Sequence, residues 1–104
     1  MVKARGMVIT TGRAETANGS KYLRRLCKHW SHKFDVDASD TEGRIRFPSA
    51  VATLEASATA LLITVESEDT GAVERLKDTM TEHLNRFAFR EAPLTFAWSA
   101  LDDR

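Results

Sequence analysis

The chain has little of what would identify a disulfide-linked, membrane-spanning or nucleotide-binding protein. Its 104 residues include one cysteine, so no internal disulfide can hold the fold together. No apolar run approaches the roughly 18 residues of a membrane-spanning helix, and the first residues lack the apolar stretch of a secretory signal. No glycine-rich phosphate loop and no HExxH, CxxC or GxSxG motif is present. We therefore expect a cytoplasmic, non-catalytic protein that folds by packing.

The length of the chain leaves room for one hydrophobic core, since a domain of this size hides only about two thirds of the surface of its unfolded chain. The composition, 42% hydrophobic and 29% charged, is that of a globular protein rather than a disordered or membrane chain. We predict a single domain over residues 1–104, with a loose segment at residues 1–7.

The net charge is zero, but the charges are unevenly distributed along the chain. Residues 1–33 contain eight lysines or arginines and one acid, whereas residues 34–82 contain four basic and eleven acidic residues. A basic partner-binding face is compatible with this asymmetry, provided that the two halves do not neutralise each other in the fold.

Hydrophobic periodicity predicts two helices. The first runs from residue 19 to about residue 32 with Asn18 as its N-cap, and the second begins near Asp69 or Thr70 and ends near Phe87. Alternating or continuous apolar segments predict strands near residues 8–17, 34–38, 44–47, 51–56, 60–66 and 94–99. These segments predict the order β-α-β-β-β-β-α-β.

The predicted fold class is α+β, a two-layer sandwich with a largely antiparallel sheet of about five or six strands and two helices on one face. The hairpin centred on residues 40 and 41 sets Asp37 opposite Arg44 and Asp35 opposite Arg46, and Glu55 is expected across from Arg44. An even number of strands between the helices makes them run in opposite directions.

The segment LCKHWSHK raises the hypothesis of a metal site, because thiolate and imidazole are good ligands for zinc, copper or iron. On a helix, Cys27 and His29 point about 160° apart, given about 100° per residue, whereas His29 and His32 are neighbours. His29 and His32 are thus the candidate ligands for iron, zinc or haem iron, and Cys27 is expected to turn toward the core.

Two histidines fall short of a complete zinc site, so a further ligand is needed. In the expected antiparallel arrangement, His83 lies on the order of 15 Å or more from the pair, given a rise of about 1.5 Å per residue. Asp35, Asp37 or a second copy of the chain could supply the missing ligand, and the oligomeric state stays open.

A purely structural interpretation competes with the metal hypothesis. His29 and His32 would then meet the partial negative charge at the C-terminus of the helix, and His83 would be a partly buried histidine with one backbone partner. Cys27 would pack as a small apolar residue. Lys28 and Arg24 could favour a thiolate there, but the late helical position of Cys27 and the absence of a base at three or four residues' distance weigh against a thiol enzyme.

The predicted first helix also carries a cationic face. Its members are Lys21, Arg24, Arg25 and Lys28, a set suited to an acidic protein, to phosphate or to sequence-independent attraction of nucleic acid. Sequence-specific recognition of nucleic acid is not indicated. The competing interpretation is a solvated helix face without a partner.

The segments KYLRR, LCKHWSHK and HLNRFAFRE together resemble the bacterial domain of unknown function 2218, over about residues 13–98. The matching residues are Tyr22, Leu23, Leu26, Cys27, Lys28, His29, His32, Lys33, Gly43, Phe47, His83, Leu84, Arg86, Phe87, Phe89, Arg90 and Glu91. Ser31 stands where a small apolar residue is expected. The family has no assigned function. Related domains attached to siderophore-interacting, flavin-dependent ferric reductase modules shift the metal hypothesis toward iron handling, and the resemblance names no ligand.

Overall fold

The computed structural model describes residues 7–91 and 93–99 and the backbone of residues 102–103. The elements are β1 (Val8–Glu15), α1 (Gly19–Trp30), β2 (Asp35–Ala38), β3 (Glu42–Phe47), β4 (Ala50–Ala56), β5 (Ala60–Ser67), α2 (Thr70–Phe87), β6 (Ala97–Trp98) and β7 (Asp102–Asp103). The predicted loose segment at residues 1–7 falls, except for residue 7, outside the described residues.

The sheet is antiparallel throughout, with its strands in the order β2-β3-β4-β5-β1-β6. Both β6 and β7 pair with β1, so they share the sixth position of the sheet. The first helix packs on β2 to β5 and the second on β5 and β1, with one buried apolar cluster between the two layers. The predicted α+β fold class is confirmed. Within the described residues, neither helix combines the length and apolar composition that a bilayer crossing requires.

The β2–β3 hairpin has the predicted register, with Asp35 opposite Arg46 and Asp37 opposite Arg44. Its ion pairs differ from the expected two separate pairs. Arg46 Nη1 lies 3.2 Å from carboxylate oxygens of both Asp35 and Asp37. Because Asp37 is two residues along the strand from Asp35, its carboxylate lies on the same face of the sheet, where the long Arg46 side chain reaches both acids.

The β3–β4 pairing corrects one prediction. Glu55 is opposite Glu42, and Arg44 is opposite Thr53. The turn at residues 48–49 has only two residues, which pairs Phe47 with Ala50 and fixes the register of the whole ladder.

The first helix ends at Trp30, two residues before the predicted end. The amide and the hydroxyl of Ser31 both donate to the carbonyl oxygen of Lys28, at 3.3 and 2.8 Å. A serine that binds the backbone of the preceding turn in this way competes with helical continuation. His32 therefore lies in the turn that follows α1 and not in its last turn.

The chain after α2 turns back and is fixed to the start of α1 by one carboxylate. Glu91 accepts hydrogen bonds from the Tyr22 hydroxyl, from Asn18 Nδ2 at 2.9 Å and from Thr16 Oγ1 at 3.0 Å. Asn18 is the residue before α1, as predicted, but its side chain makes no cap hydrogen bond to the helix. Tertiary contact with Glu91 has replaced local capping.

These hydrogen bonds, from Tyr22 first and then Asn18, lower the pKa of Glu91 below its ordinary value of 4.5. A carboxyl group whose pKa is lower in the folded state stabilises the fold above pH 4.5, and the stabilisation is lost as the pH falls through the folded-state value. Below pH 4.5, we expect the free energy of unfolding of Glu91→Gln to fall less steeply with decreasing pH than that of the unsubstituted protein. Urea unfolding at several pH values measures this dependence. Glu82→Gln, at an exposed position of α2, is the control. Parallel pH curves for Glu91→Gln and the unsubstituted protein would contradict the role of this carboxylate.

Candidate functional site

The three histidines of the chain line one groove between the two helices. The groove has a volume of about 540 Å³. Its lining residues are His29, Trp30, His32, Lys33, Phe34, Phe47, Leu76, Thr79 and His83. They come from the end of α1, the turn after it, the end of β3 and the middle and end of α2.

The ring centres of His29 and His83 are 5.3 Å apart. The expected separation of 15 Å or more is therefore wrong. That expectation assumed helices that lie side by side, with the end of α1 near the start of α2. Instead the last turn of α1 contacts the last third of α2, where Trp30 lies 4.9 Å from His83 and His29 lies 6.1 Å from Phe87, between ring centres.

The backbone contact of His83 determines the tautomer of its neutral ring. Its Nδ1 is 2.8 Å from the carbonyl oxygen of Thr79, one helical turn earlier. A carbonyl oxygen only accepts, so Nδ1 carries the hydrogen and Nε2 of the neutral ring has the free lone pair. The predicted partly buried histidine with one backbone partner is confirmed, and this same contact is what orients metal-ligating histidines.

The spacing of His29 and His83 fits two ligands of one ion. Imidazole nitrogens lie about 2.0–2.1 Å from zinc, which puts the ring centres of two imidazoles on one tetrahedral ion roughly 5 Å apart. The observed 5.3 Å agrees with that value.

The other candidate ligands are placed less favourably. His32 is exposed and lines the groove, but no set of three His, Cys, Asp or Glu side chains in the described part of the chain has the spacing of a metal site. Asp35 and Asp37, which could have supplied a third ligand, are both bound to Arg46. His29 and His83 are therefore the two candidate residues whose rings lie in contact.

Cys27 lies on the other side of α1, as predicted from the helical spacing. Its side chain is buried, and its Sγ is 2.6 Å from the position that a Cβ at Gly43 would occupy. Burial raises the pKa of the Cys27 thiol. A buried thiol with a raised pKa is a poor nucleophile.

Aromatic side chains form the floor of the groove. The Trp30 ring is 5.2 Å from Phe47 and 6.4 Å from Phe34, and the two phenylalanine rings are 4.7 Å apart, all edge-on between ring centres. Trp30 is 6% exposed and belongs to the core, as predicted. Such packing restricts the rotamers of the neighbouring histidines, so the aromatic rings hold the histidine side chains in place.

The four basic residues of the predicted cationic face, Lys21, Arg24, Arg25 and Lys28, are all exposed. None of them forms an ion pair within 4.0 Å with an acid among the residues that the structure describes. Lys21 lies close enough to Glu91 to help lower the pKa of that carboxyl group. Within the described residues, this helix face therefore has no ion pair with the sheet or with α2.

Comparisons with known proteins are consistent with the fold described here. The model of the family described as an uncharacterised protein conserved in bacteria, DUF2218, matches residues 11–99. The NMR structure of PA4090 from Pseudomonas aeruginosa is similar to this chain with 31% sequence identity and a TM-score of 0.76. The similarity covers 88% of this chain and 94% of PA4090. No curated protein matches the sequence.

Proposed function

This chain belongs to the DUF2218 family of uncharacterised bacterial proteins, and we propose that it binds a transition-metal ion between α1 and α2 as a non-catalytic accessory to metal handling. His29 and His83 are the primary ligands in this proposal. The side chain of His32, in the turn after α1, moves toward the ion as the third ligand. A cytoplasmic location accords with the unpaired thiol of Cys27.

The proposal is supported chiefly by the pairing of His29 with His83. The two rings are 5.3 Å apart, and the hydrogen bond from His83 Nδ1 to Thr79 leaves its Nε2 free to bind an ion. Imidazole is a suitable ligand for zinc, copper, nickel and iron. The ligand chemistry therefore indicates a metal of this group but does not distinguish among the four.

The openness of the site supports an exchangeable ion rather than a structural one. Two or three imidazoles leave at least one coordination position of a tetrahedral or octahedral ion for water or for a ligand of a partner. Closed four-ligand sites serve structure, whereas an open and exposed site lets an ion exchange. We therefore expect micromolar rather than near-irreversible binding.

The test is a calorimetric titration of the purified chain with Zn²⁺, Co²⁺, Ni²⁺, Cu²⁺, Fe²⁺ and haem. We expect one ion per chain for at least one metal, and we expect His83→Ala or His29→Ala to weaken its binding at least about tenfold. His32→Ala should weaken binding less, because its side chain is not yet at ligand spacing.

Cys27→Ala is the matched control, because the thiol is buried away from the groove. Unchanged affinity in both His83→Ala and His29→Ala, or loss of binding in Cys27→Ala alone, would contradict the proposal.

A second candidate function is docking through the basic face of α1, with an acidic protein as the partner expected from sequence. It is supported by the exposure of Lys21, Arg24, Arg25 and Lys28 and by their lack of ion pairs within the described residues. It does not involve the histidines. Further contacts of this face, described next, favour a different anionic partner.

A further inference from the structure

The surface beside the start of α1 combines an exposed aromatic ring with cations. Phe89 is 69% exposed and is the one large apolar side chain that is exposed within the described residues. The guanidinium of Arg90 lies 5.5 Å from the centre of its ring. A single exposed apolar residue is ordinary in itself, so the argument depends on what surrounds it.

Phe89 and Arg90 are held at the tip of a fixed turn. Ala88, at the base of the turn, is buried, and the amide of Glu91 donates to its carbonyl oxygen at 2.9 Å. The Glu91 carboxylate is in turn bound to Tyr22 and Asn18 at the start of α1. Phe89 therefore lies two residues before a carboxylate that is bound to the start of α1.

The adjoining part of α1 carries exposed basic side chains. The helix contains no acidic residue, and Lys21 and Arg25 follow each other at a spacing of four residues, which places them in one row. Lys21 is near Glu91, at the base of the turn that carries Phe89. We call the surface made by Lys21, Arg25, Phe89 and Arg90 the basic-aromatic surface.

We propose that the basic-aromatic surface docks on an anionic lipid bilayer, with Phe89 entering the boundary between headgroups and acyl chains. Aromatic residues beside lysine and arginine are the combination that holds peripheral proteins at such membranes. Three exposed cations complement the negative headgroups, and the exposed ring complements the apolar boundary beneath them. One exposed ring is too few to stack successive bases of a single strand.

The test is co-sedimentation of the full chain with vesicles of phosphatidylcholine, with or without an equal part of phosphatidylglycerol. We expect binding to the anionic vesicles that weakens at high salt, and little binding to phosphatidylcholine alone. Phe89→Ala should weaken binding about tenfold, because the variant lacks the ring that is buried in the bilayer on binding. Arg25→Glu should weaken it by at least about tenfold.

Arg13→Glu is the control for charge, since Arg13 is an exposed arginine of β1 rather than of α1. It should bind vesicles like the unsubstituted chain. Equal binding to both vesicle types, or unchanged binding of both Phe89→Ala and Arg25→Glu, would overturn the proposal. Binding to polyglutamate or to a single-stranded oligonucleotide without binding to anionic vesicles would also overturn it and would assign the surface to that polymer.

Discussion

Trp30→Ala is expected to lower the free energy of unfolding by about 3–5 kcal/mol, the usual cost of removing a buried tryptophan ring. Trp30 is 6% exposed, and its ring contacts Phe34 and Phe47 on one side and His83 on the other. Removal leaves a cavity under the groove that the sheet and the two helices cannot close without moving. Urea unfolding followed by circular dichroism measures the change.

Trp30→Phe is the matched control, because it keeps an aromatic ring in the same place and should cost clearly less. Both variants change the packing beneath the groove and leave the proposed ligands His29 and His83 in the sequence. A decrease of less than about 1 kcal/mol in the free energy of unfolding of Trp30→Ala is typical of a surface position. That result would contradict the role of Trp30 as the floor of the groove.

Gly43→Ala is expected to destabilise the protein by about 1–3 kcal/mol, the usual cost of adding a methyl group to a closely packed core. Gly43 is the second residue of β3, and in a strand alanine in place of glycine would otherwise stabilise by roughly 0.5–1 kcal/mol. The new Cβ, however, would be 2.6 Å from Cys27 Sγ and 3.4 Å from Leu23 Cδ2. The sign of the measured change therefore decides between backbone preference and packing.

Cys27→Ala tests the cause of that destabilisation. With the sulfur removed, Gly43→Ala should become neutral or stabilising, so the two substitutions are coupled by at least about 1 kcal/mol in a double-mutant cycle. Additive effects of Gly43→Ala and Cys27→Ala would show that the sulfur does not fill the space beside Gly43, and would reopen the hypothesis of an accessible thiol.

Much of the fold is predictable from local pattern, because the signals act within one element or one hairpin. The alternation of apolar and charged residues is enough to predict the strands and the Asp35–Arg46 register, and the helical period is enough to turn Cys27 inward. The Glu55 register was wrong because it depends on the length of a turn, which one residue more or less would have shifted.

The site was predicted less completely than the fold, because it depends on how two distant helices meet. His29 and His32 are neighbours in sequence, and both line the groove. His83 was expected far from the pair because the end of α1 was placed near the start of α2, and helix periodicity does not specify where along α2 the end of α1 makes contact. The available signal was its position near the end of α2, the part that meets the end of α1.

The contact between Asn18 and Glu91 has the same origin. Asn18 is a favourable N-cap residue by type, and nothing within its own segment indicates that its amide will instead bind a carboxylate 73 residues later. Local propensity located the start of the helix correctly, but the long-range fold decided which atoms fill its hydrogen bonds.

The central claim is that the Nε2 lone pair of His83 is available to a metal ion beside His29. Long-range ¹H–¹⁵N spectroscopy of the imidazoles tests this claim most directly. We predict that the neutral form of the His83 ring carries its hydrogen on Nδ1, and that the resonances of His83 Nε2 and of one His29 ring nitrogen shift strongly when Zn²⁺ is added. A hydrogen on His83 Nε2, or spectra of both rings that Zn²⁺ leaves unchanged, would contradict the account.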